Sequence, residues 1–283
     1  DPGFAGAFPA PVRPDGLIPR NRFTVPAGQG DTRGIMRTSP FVLLALAIFL
    51  VTLTSLARPT EAQPDRRIDL ALVLAIDTST SVDNAEYRLQ MLGLANAFRH
   101  ESVVQAMRSG APLGMAVTLM QWSGQGEQVQ AIPWTILRRD EDIEQLARQI
   151  ADTKRLVKGG RTALGEAVIE GLKLFDSLDF DVRRRVIDVS GDGGSNDGIL
   201  PREAREMARA AYVTVNGIAI LNEEPRLDIY YRSDLIVGPG SFLITATNYV
   251  DFARAIRLKL VREIIGNPMA LLETDPDRER VLQ

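Results

Sequence analysis

The stretch Leu70-Ala71-Leu72-Val73-Leu74-Ala75-Ile76-Asp77-Thr78-Ser79-Thr80-Ser81 passes from an apolar run to a carboxylate and then to hydroxyls. The run Leu70 to Ile76 is too short for a helix core and is made of residues that fill a buried strand. It stops at Asp77, and Ser79 and Ser81 follow in an Asp-x-Ser-x-Ser pattern. A helix start comes next, with Asp83 as its cap and Glu86 three residues on. A buried strand that brings one carboxylate and two hydroxyls to the end of a sheet is a place to hold a hard cation.

Downstream of this stretch, strand and helix patterns alternate. Residues 84 to about 98 read as a helix with Leu89, Leu92, Ala95 and Phe98 on one face, and Glu101–Arg108 as a further turn or two. Gly114–Trp122 is a strand, and Gln128–Ile132 returns antiparallel across the Ser123-Gly124-Gln125-Gly126 turn. Residues 140–152 form an amphipathic helix, and another runs from about 163 to 177. Val186–Val189 is a buried strand ending in Ser190-Gly191-Asp192-Gly193-Gly194. A helix from Pro201, a strand Val213–Leu221, a short strand Phe242–Ala246 and a helix from about Asn248 to Ile265 complete the pattern. Strands separated by helices imply right-handed crossovers, hence a doubly wound α/β domain whose mostly parallel sheet is covered on both faces. It spans residues 68–265.

Upstream, residues 1–35 are rich in proline and glycine without periodicity and read as disordered, an extension ahead of a translation start at Met36. Residues 36–62 carry a short basic segment, the apolar run Phe41 to Val51 and then small residues, the pattern of a secretory signal peptide. The expected location is periplasmic or secreted, with no membrane span after cleavage. The alternative is an inner-membrane anchor left uncleaved at 41–57, only just the ~17 residues that a bilayer span requires. Residues 63–67 are a linker and 266–283 a loose tail.

Composition removes much of enzyme space. With no cysteine there is no disulfide framework, thiol nucleophile or thiolate site, and with one histidine, His100, no multi-imidazole zinc site. The net charge of -3, without a basic stripe interleaved with aromatics, argues against nucleic acid. Gly193-Gly194-Ser195-Asn196-Asp197 lacks the final glycine of a nucleophile elbow, and Gly159-Gly160-Arg161-Thr162 lacks the spacing and the lysine of a phosphate-binding loop.

In a doubly wound sheet, ligands sit at the carboxyl ends of the strands. Three unusual loops belong on that edge: Asp77 to Ser81, Gly159 to Thr162, and Gly191 to Gly193. Together they offer two carboxylates and three hydroxyls. Oxygen-only ligands suit Mg²⁺, with Mn²⁺ or Ca²⁺ as alternatives. If neutral hydroxyls touch the ion and the carboxylates hold its waters, the ion keeps much of its charge and an open position for a Glu or Asp from a protein partner.

This constellation resembles the metal-ion-dependent adhesion site of von Willebrand factor A-like domains, found also in integrin inserted domains. Asp77, Ser79 and Ser81 match the first loop of the family pattern, Thr162 the second and Asp192 the third, over about residues 68 to 265. The wording Asp188-Val189-Ser190-Gly191-Asp192-Gly193 resembles that of an uncharacterised group of exported bacterial members. The resemblance implies a Rossmann-like sheet of six strands in order 3-2-1-4-5-6, one edge strand antiparallel. It also implies direct binding of the ion by Ser79, Ser81 and Thr162, with Asp77 and Asp192 bound through water. Asp188 departs from the pattern, where an apolar residue is expected. As a buried carboxylate it requires a partner, a nearby Ser, Thr or Arg, and serves as a brace or as an outer group of the site.

Each position also has an ordinary reading. Asp77 to Ser81 are cap residues, Thr162 is a cap after two glycines, and Asp192 is a turn residue. Lys154, Arg155, Lys158 and Arg161 are a solvated charge run, or else a positive rim that steers an acidic partner. His100 ends a helix, and Trp122 and Trp134 pack beside the hairpin. Three functions compete: a cation-dependent protein-binding module without catalysis, a metal-dependent phosphate or ester hydrolase with Asp188 as base, and an envelope assembly factor with a vestigial metal site.

Overall fold

The computed structural model describes residues 66–157 and 159–266. The proline-rich stretch 1–35, the signal segment 36–62, the linker up to 65, the tail beyond Gly266 and Lys158 lie outside the described residues.

Strand β1, Arg67–Asp77, is the centre of the sheet. It is followed by α1 (Asn84–Arg99), α2 (Glu101–Gly110), β2 (Met115–Trp122), β3 (Gln128–Leu137), α3 (Asp140–Asp152) and α4 (Leu164–Leu174), which ends in a 3-10 turn, Phe175–Ser177. Then come β4 (Asp181–Gly191), α5 (Pro201–Ala210), β5 (Thr214–Ile220), α6 (Leu227–Asp234), β6 (Leu243–Ala246) and α7 (Phe252–Ile265). The six strands lie in the order β3-β2-β1-β4-β5-β6, as expected. Only β3 is antiparallel to its neighbour.

Alternation along β1 divides the core. Leu70, Leu72, Leu74 and Ile76 face a layer built from α1, α2, α3 and α7. The smaller Ala71, Val73 and Ala75 face α4, α5 and α6. Both faces are covered, so nearly the whole strand is apolar, as a central parallel strand must be. Parallel register aligns the carboxyl ends of the strands: Asp77 lies opposite Trp122, and Ile76 opposite Ser190. The loops after β1 and β4 therefore leave from one edge. The Gly159 to Thr162 loop, which joins α3 to α4, meets that edge where the Ala163 amide donates to the Ser123 carbonyl just beyond β2 at 2.8 Å.

Four local readings are corrected. The inward face of α1 carries Met91, Leu94, Ala95 and Phe98, while Leu89 and Leu92 are exposed at 39% and 42%. In this rotation Gln90 is buried as well, its amide donating to the Asp77 carbonyl at 3.4 Å. Strand β3 runs five residues past Ile132, through Pro133. On an edge strand a missing N–H is harmless, and the register slips around this proline, between the partners of Leu119 and Val117. Helix α6 was not expected. Its polar sequence has little helix propensity, and burial of Leu227 and Tyr231 on one face secures it. The fourth concerns Asp188, whose partner is a lysine. The Nζ of Lys259 on α7 lies 2.7 Å from Asp188 Oδ1, with Glu263 on its other side. The long apolar stem of the lysine threads the helical layer and delivers a cation where a short side chain does not reach. Among the described residues no helix is long and apolar enough to cross a membrane.

Candidate metal centre

Asp77 ends β1 fully buried, and its Oδ1 accepts the Ser79 amide at 2.7 Å. This closes an Asx turn that directs the next hydroxyls across the sheet edge. Ser79 Oγ lies 3.0 Å from Ser81 Oγ, and Ser81 Oγ donates to Asp192 Oδ1 at 2.7 Å. The chain then enters α1 through the expected capping box: Asp83 Oδ1 accepts the Ala85 and Glu86 amides at 2.7 and 2.8 Å, and Glu86 accepts the Asp83 amide at 2.8 Å. Asp83 is thus used as the cap, which leaves Asp77, Ser79 and Ser81 for the sheet edge.

The second loop is held against the first by two contacts. Thr80 Oγ1 donates to the Gly159 carbonyl at 3.0 Å. Arg155 Nη2 donates to the carbonyls of Thr78 and Ser79 at 2.8 and 2.9 Å. Arg155 is therefore more than part of a solvated charge run: half-buried, it clamps the first loop. Its own segment is shaped by Gln121, buried on β2, whose amide donates to the Lys154 carbonyl at 2.8 Å and accepts the Leu156 amide at 2.7 Å. A Cβ at Gly159 would overlap the Glu127 carboxylate, which would have to turn aside to admit a side chain there. Thr162, buried at the loop's end, is clasped by the third loop. Its amide donates to Asn196 Oδ1, and its carbonyl accepts the Asn196 amide, both at 2.9 Å.

Asp192 opens that third loop, fully buried, one residue beyond β4. Its Oδ2 accepts the Tyr249 hydroxyl at 2.9 Å. Gly191, just before it, also has a steric role. A Cβ there would lie 2.9 Å from Asp77 Oδ2 and 2.6 Å from the Tyr231 hydroxyl. Tyr231, on α6, thus points a buried hydroxyl into the same corner.

Hydrogen bonds join Ser79, Ser81 and Asp192, and the Asx turn joins Asp77 to them. Thr162 comes alongside through the main-chain contacts of its loop. Gln121, Tyr231 and Tyr249 had no signal in the sequence, because each acts on a partner distant along the chain, and Arg155 was read there only as part of a charge run. Asn196 and Arg161 sit within loops already singled out, and Arg161 donates to the Asn196 carbonyl at 3.2 Å.

Burial and mutual proximity disfavour two charged carboxylates at this edge. Burial, and next the neighbouring Asp192, push the Asp77 carboxyl up to about 7 against an ordinary value of 3.8. Asp77 Oδ2 is buried without a hydrogen-bond partner. Among the described residues no three His, Cys, Asp or Glu side chains form a ligand cluster, so a cation here would depend on hydroxyls as well as on the two carboxylates. The orphaned Asp77 oxygen and the all-oxygen donor set fit a divalent ion such as Mg²⁺.

Asp188 lies three residues inside the end of β4 and is enclosed by α7. Asn216 on β5 donates to Glu263 at 3.1 Å, which joins it to the same buried network. This is the brace that the buried carboxylate required. His100 ends α1 and caps α2, its Nδ1 accepting the Ser102 amide at 3.2 Å. Trp122 is buried, and Trp134 packs on Phe175 with ring centroids 5.7 Å apart.

A family model described as "Protein of unknown function (DUF1194)" matches residues 67–268. No curated protein matches the chain in sequence. Among solved structures, the chain is similar to proximal thread matrix protein 1 from the mussel byssus, with a TM-score of 0.52 and 17% identity over 71% of this chain and 49% of that one. It is similar to the pilus adhesin SpaC from Lactobacillus rhamnosus GG, with a TM-score of 0.50 and 10% identity over 69% of this chain and 31% of that one. It also resembles von Willebrand factor type A from Catenulispora acidiphila, with a TM-score of 0.48 and 16% identity over 69% and 43% of the two chains. The chain spans about half or less of the length of these proteins. The likeness is one of fold, a doubly wound sheet in the order β3-β2-β1-β4-β5-β6.

Proposed function

The chain belongs to the family of proteins of unknown function DUF1194, and from that premise we propose that it is an exported, divalent-cation-dependent protein-binding module. Asp77, Ser79, Ser81, Thr162 and Asp192 hold the ion, with Mg²⁺ the best match to the donors. A Glu or Asp from a protein partner completes its coordination.

The observation that carries this reading is the pair of fully buried carboxylates, Asp77 and Asp192, with a hydroxyl relay between them. Two buried like charges are costly unless a cation is shared between them. Hydroxyl ligands add no charge, so a dication held mainly by them remains electrophilic. The natural ligand for its remaining position is an anionic oxygen from outside. The mussel matrix protein and the pilus adhesin, by their names, belong to thread and pilus assemblies; an adhesive or assembly role for this chain rests on that analogy of fold.

The hydrolase alternative drew its general base from Asp188. That carboxylate is ion-paired with Lys259 beneath α7, so the alternative loses the group it depended on. Export rests on the sequence of residues 36–62.

The test combines metal and partner. Isothermal titration of the chain with MgCl₂ should show saturable binding that Asp77→Ala abolishes. Partner capture from an envelope extract should be lost in chelator and lost equally in Asp77→Ala. Capture that survives chelation would overturn the proposal.

A further inference from the structure

Resting on the metal reading above, we infer that Tyr249 sets the ion preference of the site: by hydrogen bonding to Asp192 Oδ2 it restrains that carboxylate from turning both oxygens onto the ion, and so favours Mg²⁺ over Ca²⁺.

The two carboxylates are not equivalent. Asp77 has one oxygen on the Ser79 amide and one, Oδ2, without a partner. Asp192 has both oxygens engaged, Oδ1 by the Ser81 hydroxyl at 2.7 Å and Oδ2 by the Tyr249 hydroxyl at 2.9 Å. Tyr231 stands near the same corner, but its hydroxyl makes no hydrogen bond. The asymmetry therefore comes from Tyr249.

Tyr249 is also firmly placed. It is 3% exposed, and its ring belongs to the core layer that holds Leu74 and Ile76. Its main chain sits in a tight turn between β6 and α7, where Asn248 Oδ1 accepts the amides of Val250 and Asp251, each at 3.0 Å, and Asp251 Oδ2 accepts the Thr247 amide at 3.1 Å. A hydroxyl carried by so fixed a ring cannot follow Asp192 if the carboxylate swings away, so the hydrogen bond restrains the carboxylate.

The two ions respond differently to such a restraint. Ca²⁺ takes six to eight oxygens in flexible geometry and often both oxygens of one carboxylate. Mg²⁺ keeps several of its waters and accepts carboxylates at one remove. An Asp192 whose two oxygens each accept a hydrogen bond, one of them from a fixed ring, still offers a lone pair to a metal-held water but is restrained from turning both oxygens onto the ion. Removing the phenol hydroxyl releases Oδ2 for direct coordination, which benefits Ca²⁺ more. Tyr249 is thus a positioning residue.

Calorimetric titration of the full chain with MgCl₂ and with CaCl₂ tests this in the native protein, Tyr249→Phe and Tyr249→Gln. In Tyr249→Phe the ratio of Ca²⁺ to Mg²⁺ affinity should rise about tenfold, the scale of a lost outer-shell contact. Tyr249→Gln, which keeps a donor, should hold the ratio within about threefold of the native value, well inside that tenfold change. Terbium luminescence lifetimes supply a second readout. Tyr249→Phe should hold one fewer ion-bound water than the native protein. An unchanged ratio and water count in Tyr249→Phe, with both ions still bound, overturns the role of Tyr249 and leaves the metal reading standing. A ratio in Tyr249→Gln shifted as far as the phenylalanine's also overturns it. Failure of the native chain to bind either ion overturns both.

Discussion

Arg155 donates to the main-chain carbonyl of Ser79 at 2.9 Å, across 76 positions of sequence, and reaches the Thr78 carbonyl with the same nitrogen. A cationic side chain that spends its hydrogen bonds on the backbone of another loop fixes the position of that loop. Here the loop carries the hydroxyls of the candidate metal centre.

Arg155→Met should therefore loosen the first loop rather than only remove surface charge. Losing charge-assisted hydrogen bonds of this kind costs about 1–3 kcal/mol. Urea denaturation should show that loss, and Mg²⁺ affinity should fall with it. Arg155→Lys should recover only part, because a single ammonium does not reproduce the guanidinium's reach.

Metal should stabilise the fold. At ~100 times its dissociation constant, a ligand specific to the folded state adds about 2.7 kcal/mol. Differential scanning fluorimetry with rising MgCl₂ should show the melting temperature climbing in the native chain and flat in Asp77→Ala. A native curve that does not move at millimolar Mg²⁺ would count against the site.

The metal-free protein should lose stability as pH rises from about 4 to 7. Asp77 is pushed up to about 7 in the fold, mainly by burial and then by Asp192, against 3.8 when exposed. Between those values the folded state holds a proton that the unfolded chain has released, so raising the pH favours unfolding. At ~1.36 kcal/mol per unit, the loss is at most about 4 kcal/mol. Asp188, also pushed up to about 7 by burial and Glu263, contributes with the same sign. Melting temperatures at pH 5 to 8 in chelator should fall with pH, and less steeply in Asp77→Asn. With Mg²⁺ present the dependence on Asp77 reverses, since protons compete with the ion below about pH 7.

The buried network beneath α7 predicts a non-additive mutant series. Lys259→Met leaves Asp188 and Glu263 buried without their cation and should cost about 3–5 kcal/mol. Replacing all three by apolar residues (Asp188→Leu, Lys259→Met, Glu263→Leu) should recover most of that, because no uncompensated charge remains. Equilibrium denaturation of the single and triple variants measures the difference. Equal losses in both would mean that the network contributes more than the pairing of its charges.

Local pattern and tertiary demand can be told apart element by element. The capping box of Asp83 and Glu86 was legible because it is a contact over three residues. The apolar run of β1 was legible because both faces of a central strand are buried. The rotation of α1 was not, since which of its faces turns inward depends on the elements it packs against, here β1, α3 and α7. Nor was α6, whose residues become helical through what Leu227 and Tyr231 pack against. Asp188 showed the need for a partner but not its identity, because Lys259 lies in an element whose facing cannot be read from β4.

By itself, the amino-acid sequence determined the alternation of strands and helices and the carboxylate and hydroxyls that end β1. It also placed the loops bearing Thr162 and Asp192, and the resemblance of these residues to a known constellation supplied the strand order. These follow from local forces: side-chain period, turn chemistry and capping act over a few residues. Only the tertiary structure decided that Arg155 would clamp the first loop, that Lys259 would neutralise Asp188, and that Tyr249 rather than Tyr231 would bind Asp192 across 57 positions. Those pairings depend on where parallel register leaves the ends of β1, β4 and β6, and register is a property of the whole sheet.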